Sequence, residues 1–453
     1  MKLFKHQNAA LARAREGNLA LFHDCGTGKT VTALNLIRHW KAKGEGPALV
    51  VCPLSIIEAA WKEDCKRFIP ELSIVSLWAK DPHTRYKRLA QDKDIYVCNF
   101  ETFKSLYPAI CKKDFKVLII DESSKMKNPK SQITQAILSL AGIPFRRSKY
   151  KTTNKPVPHR YVLSGTPAPN DESEYWAQIK MITGPGNGCF HDNYYAFRSK
   201  YFTSIPLGLT GQKMFKFHRA MQGEFMEAMR PVTHIVSKED ALDLPEQTHL
   251  VRKVFLSKEE RKAYDTMKND LVLRFKDEMV LSQTALTEAM KLRQLTSGFV
   301  YGENETYRIG KSKFTELDGL LEEIGDHQVI IWANFREEIQ ILHKRLNAKF
   351  NKDRDEVIKN FKEGDTKYLI ANPASAAHGL TFTNCRYAVY FSLNYSYELQ
   401  KQSQDRIHRI GQEHSTTYYY LLADKTVDEM IYKTLQRKGD ISKLVLDYLK
   451  KGK

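Results

Sequence analysis

Short apolar, β-branched segments alternate with amphipathic segments along the first half of the chain. The apolar segments are LALFH at 19–23, PALVVCP at 47–53, DIYVCNF at 94–100, KVLIID at 116–121 and RYVLSGT at 160–166. Each is followed by a turn signal or a helical pattern, which is typical of βαβ units in a parallel sheet. The pattern therefore predicts an α/β lobe in which helices flank a parallel sheet.

The second half repeats this alternation. Its apolar segments are QVIIWANF at 328–335, KYLIANP at 367–373 and YAVYFSLN at 387–394. A chain of 453 residues also exceeds the roughly 250 to 300 residues that one hydrophobic core usually serves. We therefore predict two tandem α/β lobes, at 1–230 and 231–453.

Two stretches do not show the pattern of a sheet. Residues 183–230 are rich in glycine and aromatic residues, and a long helical pattern runs from about 257 to 300. We predict helical insertions at about 172–230 in the first lobe and about 257–300 in the second.

The chain is strongly basic, with 71 Lys and Arg against 53 Asp and Glu and a net charge of +18. Such a balance favours a polyanionic partner, either nucleic acid or an anionic membrane surface. The basic residues are dispersed and not gathered on one amphipathic helix, which argues against the membrane surface. No apolar run approaches the roughly 18 residues of a membrane span, and the start lacks the apolar region of a signal peptide. We expect a cytoplasmic protein without a membrane partner.

Seven cysteines are scattered along the chain, and none forms the CxxC pairs that zinc sites require. We expect neither a zinc site nor a disulfide framework. No heptad pattern indicates a dimer, so a monomer is the expected state.

A glycine-rich turn, DCGTGKT at 24–30, lies between an apolar strand and an apolar-periodic helix. Glycines at 26 and 28 let backbone N–H groups around Thr27 point inward, and the helix N-terminus adds its positive end. Lys29 would neutralise phosphates and the Thr30 hydroxyl would hold Mg²⁺. The context predicts a site for a nucleoside triphosphate.

The segment KVLIIDE ends in Asp121 and Glu122, at the carboxyl end of a predicted strand, where ligands of open α/β sheets bind. Asp121 would orient Mg²⁺ and Glu122 would polarise the attacking water. The pair gains specificity from the loop at 24–30, because phosphoryl transfer needs a metal, a phosphate cradle and a water-positioning group together.

QSQDRIHRIGQ at 402–412 places Arg406 and Arg409 three residues apart, which predicts one face of a helix. An arginine from a second body can stabilise the charge that develops on a transferred phosphoryl group. We predict that these arginines complete the site from the second lobe.

In order along the chain, these segments resemble helicase superfamily 2, and within it the SNF2-like group of double-stranded DNA translocases. The similar segments of the first lobe are FKHQ at 4–7, DCGTGKT, VVCPLSIIEAAWKED at 50–64, VCNFETF at 97–103, DESSKMKN at 121–128 and LSGTPAPN at 163–170. Those of the second are VIIWANFREEIQIL at 329–342, SAAHGLTFTNC at 375–385 and QSQDRIHRIGQ, with a tail at 426–440 similar to a helix that braces the lobes.

The resemblance implies two RecA-like lobes, a brace helix at about 426–450, and use of ATP with Mg²⁺. It implies that Gln7 reads adenine, that Gln402 faces the nucleotide, and that Arg406 and Arg409 are arginine fingers. Ser164, Gly165 and Thr166 would couple hydrolysis to lobe movement. A nucleic-acid track would comprise Pro53, Ser55, Asn99, Thr102, Ser375 and Gly379, each of which could instead serve only turn formation.

Two positions depart from the family pattern. Ser124 stands where the superfamily's DExH branch has His, which suggests that nucleic acid and hydrolysis are coupled through other groups. Tyr395, Ser396 and Tyr397 replace a Trp-Asn-Pro step of many chromatin remodellers. The chain resembles compact prokaryotic, viral or annealing-type relatives more closely, which places it in a prokaryotic or phage-infected cell.

Three functions stay open. The first is a DNA-dependent ATPase that tracks along duplex DNA. The second is a helicase that separates strands of DNA or RNA, which needs a wedge such as a hairpin. No hairpin is evident in the second lobe, but 183–230 is long enough to contain one. The third is a non-hydrolysing nucleic-acid clamp, against which the presence of Lys29, Glu122 and Arg409 argues.

Overall fold

The structure is a computed structural model, and it describes residues 3–145, 148–186, 189–207, 212–277, 290–346, 354–376 and 381–450. The chain divides into two compact units, Met1–Asp243 with Lys438–Lys453, and Leu244–Arg437. Within the described ranges, no helix combines the length and apolar character needed to cross a membrane.

A seven-stranded sheet forms the centre of the first unit. Its strands are β1 (Leu19–His23), β2 (Ala48–Cys52), β3 (Ile74–Ser76), β4 (Ile95–Asn99), β5 (Val117–Asp121), β6 (His159–Leu163) and β9 (Thr233–Val236). They lie in the order β3-β4-β2-β5-β6-β1-β9, and each pair is parallel. Strand β9 lies beyond the boundary expected at 230, because it pairs with β1 and so belongs to this sheet.

Helices cover both faces of the sheet. They are α1 (Lys5–Glu16), α2 (Lys29–Ala42), α3 (Glu63–Phe68), α4 (Pro82–Leu89), α5 (Phe100–Ile110), α6 (Gln132–Leu140), α7 (Tyr175–Thr183), α8 (Tyr194–Tyr201), α9 (Gln222–Met229) and α10 (Lys238–Ala241). Successive residues of a strand enter different cores, as Leu21 and Phe22 do in β1. Burial on both faces explains why these strands are continuous apolar runs.

The segment 183–230 contains helices, as expected, and also a two-stranded antiparallel sheet. Its strands are β7 (Phe202–Leu207) and β8 (Gln212–Phe217). The prediction that this segment lacks sheet was wrong. Pro206, Lys213 and Lys216 interrupt the apolar alternation from which such strands are recognised.

The second unit has a five-stranded parallel sheet in the order β10-β16-β15-β13-β14. The strands of this unit are β10 (Gln247–Val254), β11 (Phe299–Tyr301), β12 (Thr306–Arg308), β13 (Val329–Trp332), β14 (Tyr368–Ala371), β15 (Tyr387–Tyr390) and β16 (Thr416–Ala423). Strands β11 and β12 form a separate short antiparallel pair that the sequence did not indicate. The expected α/β class is confirmed in both units.

Helices again flank this second sheet. They are α11 (Lys258–Asp277), α12 (Ser312–Ile324), α13 (Arg336–Arg345), α14 (Arg354–Glu363), α15 (Pro373–Ala376), α16 (Tyr397–Gln404) and α17 (Val427–Lys450). The start of α17 is fixed by a buried ion pair, in which Lys313 Nζ lies 2.6 Å from Asp428. The Thr296 hydroxyl also donates to Asp428, so this buried carboxylate is fully engaged.

Candidate nucleotide-binding site

The candidate residues of the first unit meet at one edge of its sheet. Strands β5, β6 and β1 are neighbours, and because they are parallel their carboxyl ends lie together. Strand β1 leads into the loop 24–28, β5 ends at Asp121, and β6 leads into Ser164–Thr166. The tertiary fold thus brings together three segments that are far apart in sequence.

The loop between β1 and α2 has the backbone of a phosphate cradle. Gly26 and Gly28 have φ values of 87° and 80°, in the left-handed region that favours glycine. Helix α2 begins at Lys29 without a side-chain cap. Since the first amides of a helix have no partner within it, this end is suited to bind an anion.

Gln7 braces the loop from α1. Its Nε2 donates to Gly28 O (3.2 Å), and its Oε1 accepts from Phe4 N (2.9 Å). A Cβ at Gly28 would lie 2.4 Å from Gln7 Nε2, so only glycine fits there. His6 Nε2 is bonded to Thr27 O (2.8 Å). Gln7 is 1% exposed in this conformation, and its reading of adenine stays a prediction.

The Lys29 ammonium lies beneath the loop, where it donates to His23 O (2.7 Å) and Asp24 O (3.1 Å). Burial disfavours the charged form. The nearby Cys25, Glu122, Asp121 and Asp24 nevertheless raise the pKa of Lys29 above its ordinary value. The side chain therefore stays cationic and can exchange loop carbonyls for phosphate oxygens.

The strand end at Asp121 supplies a buried carboxylate. Asp121 is 4% exposed, and it accepts from Trp61 Nε1 (3.0 Å) and Glu122 N (3.0 Å). Burial raises the pKa of Asp121, against the opposing charge of Lys29 and these hydrogen bonds. A bound cation would offset this desolvation, so the residue fits a role in holding Mg²⁺.

Glu122 has a φ of 54° and a ψ of 56°, although it is not glycine. Left-handed backbone at such a residue costs on the order of 1–3 kcal/mol and is concentrated at functional sites. Among the described residues, no three His, Cys, Asp or Glu side chains form a group that could hold a metal. Mg²⁺ would therefore need phosphate oxygens as further ligands, as usual for this ion.

The Ser164–Thr166 segment packs against the phosphate loop. Ser164 N donates to Leu21 O (3.2 Å), and the Ser164 hydroxyl accepts from Thr166 N (3.1 Å). A Cβ at Gly165 would lie 3.0 Å from Cys25 Sγ and 3.1 Å from Cys25 N. A side chain at position 165 would therefore collide with the loop at Cys25.

A residue that the sequence reading missed, Gln178 of α7, links two parts of the site. Its Oε1 accepts from the Ser123 hydroxyl (2.6 Å), and its Nε2 donates to Pro167 O (2.6 Å) and Glu174 O (3.0 Å). Gln178 is completely buried. The one signal for it was a polar residue within the apolar helix YWAQIKMI.

The expected nucleic-acid residues of the first unit follow the neighbouring strands β2 and β4. Ser55 is exposed and Asn99 is half-buried. Asn99 Oδ1 accepts from Thr102 N (3.2 Å) and so caps α5. The Thr102 side chain is buried, as is Pro53. Burial favours packing roles for Thr102 and Pro53 in this conformation, and the hydrogen bond to Thr102 N gives Asn99 a capping role.

In the second unit, α16 ends at Gln404, so the expectation that Arg406 and Arg409 share a helix face was wrong. Both lie in the turns that follow. Arg406 is 9% exposed and its carbonyl accepts from Phe382 N (2.9 Å), whereas Arg409 Nη1 donates to Thr381 Oγ1 (2.8 Å). These contacts with residues 381–382 hold the segment out of helical geometry.

Gln402 lies within α16, is buried, and its Nε2 donates to Glu398 (3.4 Å). Ser375 lies in the short helix α15. Gly379 lies outside the described residues.

The glycine loop, the strand-end Asp121–Glu122 pair and the packed Ser-Gly-Thr segment define a P-loop nucleotide-binding protein. The sequence model of the SNF2-related domain family matches residues 7–298, and the sequence model of the helicase conserved C-terminal domain family matches residues 312–411. The chain belongs to the SNF2-related family.

Several relatives are similar over nearly the whole chain. A Caenorhabditis elegans SWI/SNF-related matrix-associated actin-dependent regulator of chromatin subfamily A-like protein 1 homolog is 25% identical, over 97% of this chain and 61% of that protein. Putative protein p41 of Acyrthosiphon pisum secondary endosymbiont phage 1 is 24% identical over 94% of both chains. Human DNA annealing helicase and endonuclease ZRANB3 is 23% identical, over 97% of this chain and 40% of that protein.

The chain therefore spans less than two thirds of the nematode and human relatives. Among solved structures, the Sulfolobus solfataricus SWI2/SNF2 ATPase core in complex with dsDNA is 22% identical, with a TM-score of 0.46. That similarity covers 100% of this chain and 95% of the other.

Proposed function

We propose that the chain is a DNA-dependent ATPase that couples hydrolysis to movement along duplex DNA. The observation that supports this most strongly is the first-unit site itself. It combines an uncapped helix N-terminus, a charged Lys29 and a buried Asp121 at one sheet edge. This combination serves to bind and cleave a phosphoanhydride.

In this proposal each residue has one task. Lys29 and the loop amides of Gly26–Gly28 bind the phosphates, while Thr30 and Asp121 hold Mg²⁺. When bound by these residues, the ion would supply positive charge to offset the charge that develops on the phosphoryl oxygens. Glu122 orients the attacking water and accepts its proton.

The second unit would supply the remaining groups. Arg406 and Arg409 serve as arginine fingers, and Gln402 faces the nucleotide. Gln7 contacts adenine, and Ser164–Thr166 transmits the state of the loop through the contact between Cys25 and Gly165.

Duplex DNA is the proposed partner for two reasons. The net charge of +18 favours a polyanion, and the human relative is named as a DNA annealing helicase. The proposed track comprises contacts of the DNA backbone with Pro53, Ser55, Asn99, Thr102, Ser375 and Gly379. Such contacts bind phosphates without reading bases. We propose a monomer as the active state.

The test is ATP hydrolysis by the full chain with no nucleic acid, covalently closed circular duplex, single-stranded DNA, forked DNA or RNA. We expect strong stimulation by the duplex, which declines as salt rises because phosphate contacts release counterions. Equal stimulation by RNA would contradict the assignment to DNA. Binding of DNA without any hydrolysis would favour the non-hydrolysing clamp.

Strand separation remains a second candidate function, and one observation favours it. The antiparallel strands β7 and β8 project a hairpin from the first unit, and a hairpin is the type of element that a separating helicase uses as a wedge. A strand-displacement assay with a labelled forked duplex distinguishes separation from translocation alone.

A further inference from the structure

The β7–β8 hairpin has two faces of different composition. Its strands are paired in register from Phe202 opposite Phe217 to Leu207 opposite Gln212. Because residues opposite each other in an antiparallel pair share a face, and side chains alternate along a strand, the register assigns every side chain to one of two faces.

The inner face anchors the hairpin to the first unit. The Phe202 and Phe217 rings are 5.4 Å apart, and Phe217 lies 5.2 Å from the buried Phe225. The Arg198 guanidinium stacks 3.6 Å from the centre of the Phe215 ring. An isolated two-stranded hairpin is marginally stable in water, so these aromatic contacts keep it folded and oriented.

The outer face carries an apolar pair in water. Ile205 lies opposite Met214, and these side chains are 36% and 47% exposed. Lys216 shares this face, opposite Thr203, and is exposed, whereas Lys213, opposite Pro206, lies on the other face. The anchored hairpin thus presents two apolar side chains beside one lysine.

This combination matches one feature of nucleic acid. Exposed apolar side chains are stabilised when they cover other apolar surface, because both surfaces are removed from water. The apolar surface of DNA is the faces of its bases, which stacking hides in a continuous duplex and which become exposed where a duplex ends or opens. Ile and Met are among the side chains that proteins insert at base steps. A lysine beside them suits a backbone phosphate.

We propose that the β7–β8 wedge, residues 202–207 and 212–217, binds the last base pair of a DNA duplex at its junction with single strands. Ile205 and Met214 cover the exposed base faces, and Lys216 contacts a flanking phosphate. The inference rests on the proposed function, because it requires that the chain binds DNA. It adds a preference for forked over continuous duplex.

The experiment compares the full chain with the double variant Ile205→Ser/Met214→Ser. Thr203→Ala, on the same exposed face but without an apolar contact to lose, is the matched control. Dissociation constants are measured for a forked duplex and for a covalently closed circular duplex. We expect the unaltered chain to bind the fork more tightly. The double variant should lose about tenfold in affinity for the fork, equivalent to about 1.4 kcal/mol, while its affinity for the circle and the control variant's affinities stay within about twofold.

A second variant tests the lysine independently. Lys216→Gln should reduce the slope of log affinity against log salt by about 0.7 to 0.9 on the fork, as one lost phosphate contact requires. Lys213→Gln, on the opposite face, is the matched control and should leave this slope unchanged. The slope on the circle should not change. Far-UV circular dichroism verifies that each variant is folded.

The contrary outcomes are distinct. If no DNA stimulates hydrolysis by the unaltered chain, the proposed function fails and the wedge fails with it. If the circle stimulates but the fork is not preferred, or if the double variant keeps the preference, the wedge alone is refuted. Sedimentation showing that the double variant abolishes self-association would assign the surface to a second copy of the chain, which also refutes the wedge.

Discussion

Replacing Gln178 with methionine tests whether the site depends on a buried amide that joins its two halves. Ser123 follows the Asp121–Glu122 pair directly, and Pro167 follows the Ser164–Thr166 segment directly. Gln178 is bonded to both at 2.6 Å. Methionine keeps the approximate volume but leaves the buried Ser123 hydroxyl and Pro167 carbonyl without this partner.

The expected loss of stability follows from those two groups. A buried polar group left without its partner costs about 1–3 kcal/mol, and two groups in one network are not additive, so we expect about 2–4 kcal/mol. Urea denaturation followed by circular dichroism measures this loss. Ile179→Val, a change of a fully buried neighbour on the same helix, should cost only about 0.5–1.5 kcal/mol.

The expected functional consequence is a weaker coupling between DNA binding and ATP hydrolysis. In Gln178→Met we expect the stimulation of ATP hydrolysis by duplex DNA to fall about tenfold. The reason is that one lost hydrogen bond costs about 1.4 kcal/mol, and a barrier raised by that amount lowers a rate about tenfold. Basal hydrolysis should change much less, and Ile179→Val should keep full stimulation. If Gln178→Met is as stable and as strongly stimulated as the unaltered chain, the link has no role and the reasoning is refuted.

The remaining predictions concern the loop, the arginine segment and pH. Lys29→Ala should abolish nucleotide binding in a fluorescent-nucleotide titration. Arg409→Ala should retain binding and lose hydrolysis, by on the order of 10³ to 10⁵ for an arginine finger; intact turnover would contradict that role. Gly28→Ala should weaken ATP binding and lower the melting temperature, because its Cβ would lie 2.4 Å from Gln7 Nε2 at a φ of 80°; Gly17→Ala, which meets nothing within 4 Å, is the control. The pKa of His23 is lowered well below its ordinary value by burial and by neighbouring positive charge. Below about pH 6.5 the unfolded chain therefore takes up a proton that the folded chain excludes, so the free energy of unfolding should fall with pH from about 6.5 downwards. His23→Asn should reduce this slope between pH 6.5 and 5.5, and an unchanged slope would contradict it.

The sequence alone determined the parts that local patterns encode. Continuous apolar runs predicted five of the seven strands of the first sheet and three of the five strands of the second, because strands buried on both faces need apolar residues at every position. DCGTGKT predicted its own loop, since its glycines permit the required backbone and the helix follows directly. The acidic pair that ends KVLIIDE was placed at the sheet edge because parallel strands carry their ligand-binding ends on one side.

Only the tertiary structure decided features that depend on distant contacts. Gln178 binds Ser123, 55 residues away, and no local period reports such a bond. Helix α16 ends before Arg406 because the following segment bonds to residues 381 and 382, although the spacing of the arginines fits a helix. The β7–β8 hairpin is held by aromatic residues of neighbouring helices, while its lysines and proline interrupt the alternation that would have indicated strands. The periodicity of apolar residues indicates which face of a helix or strand is buried. The Gln178 bonds, the end of α16 and the β7–β8 hairpin depend instead on which other element of the fold packs against that face.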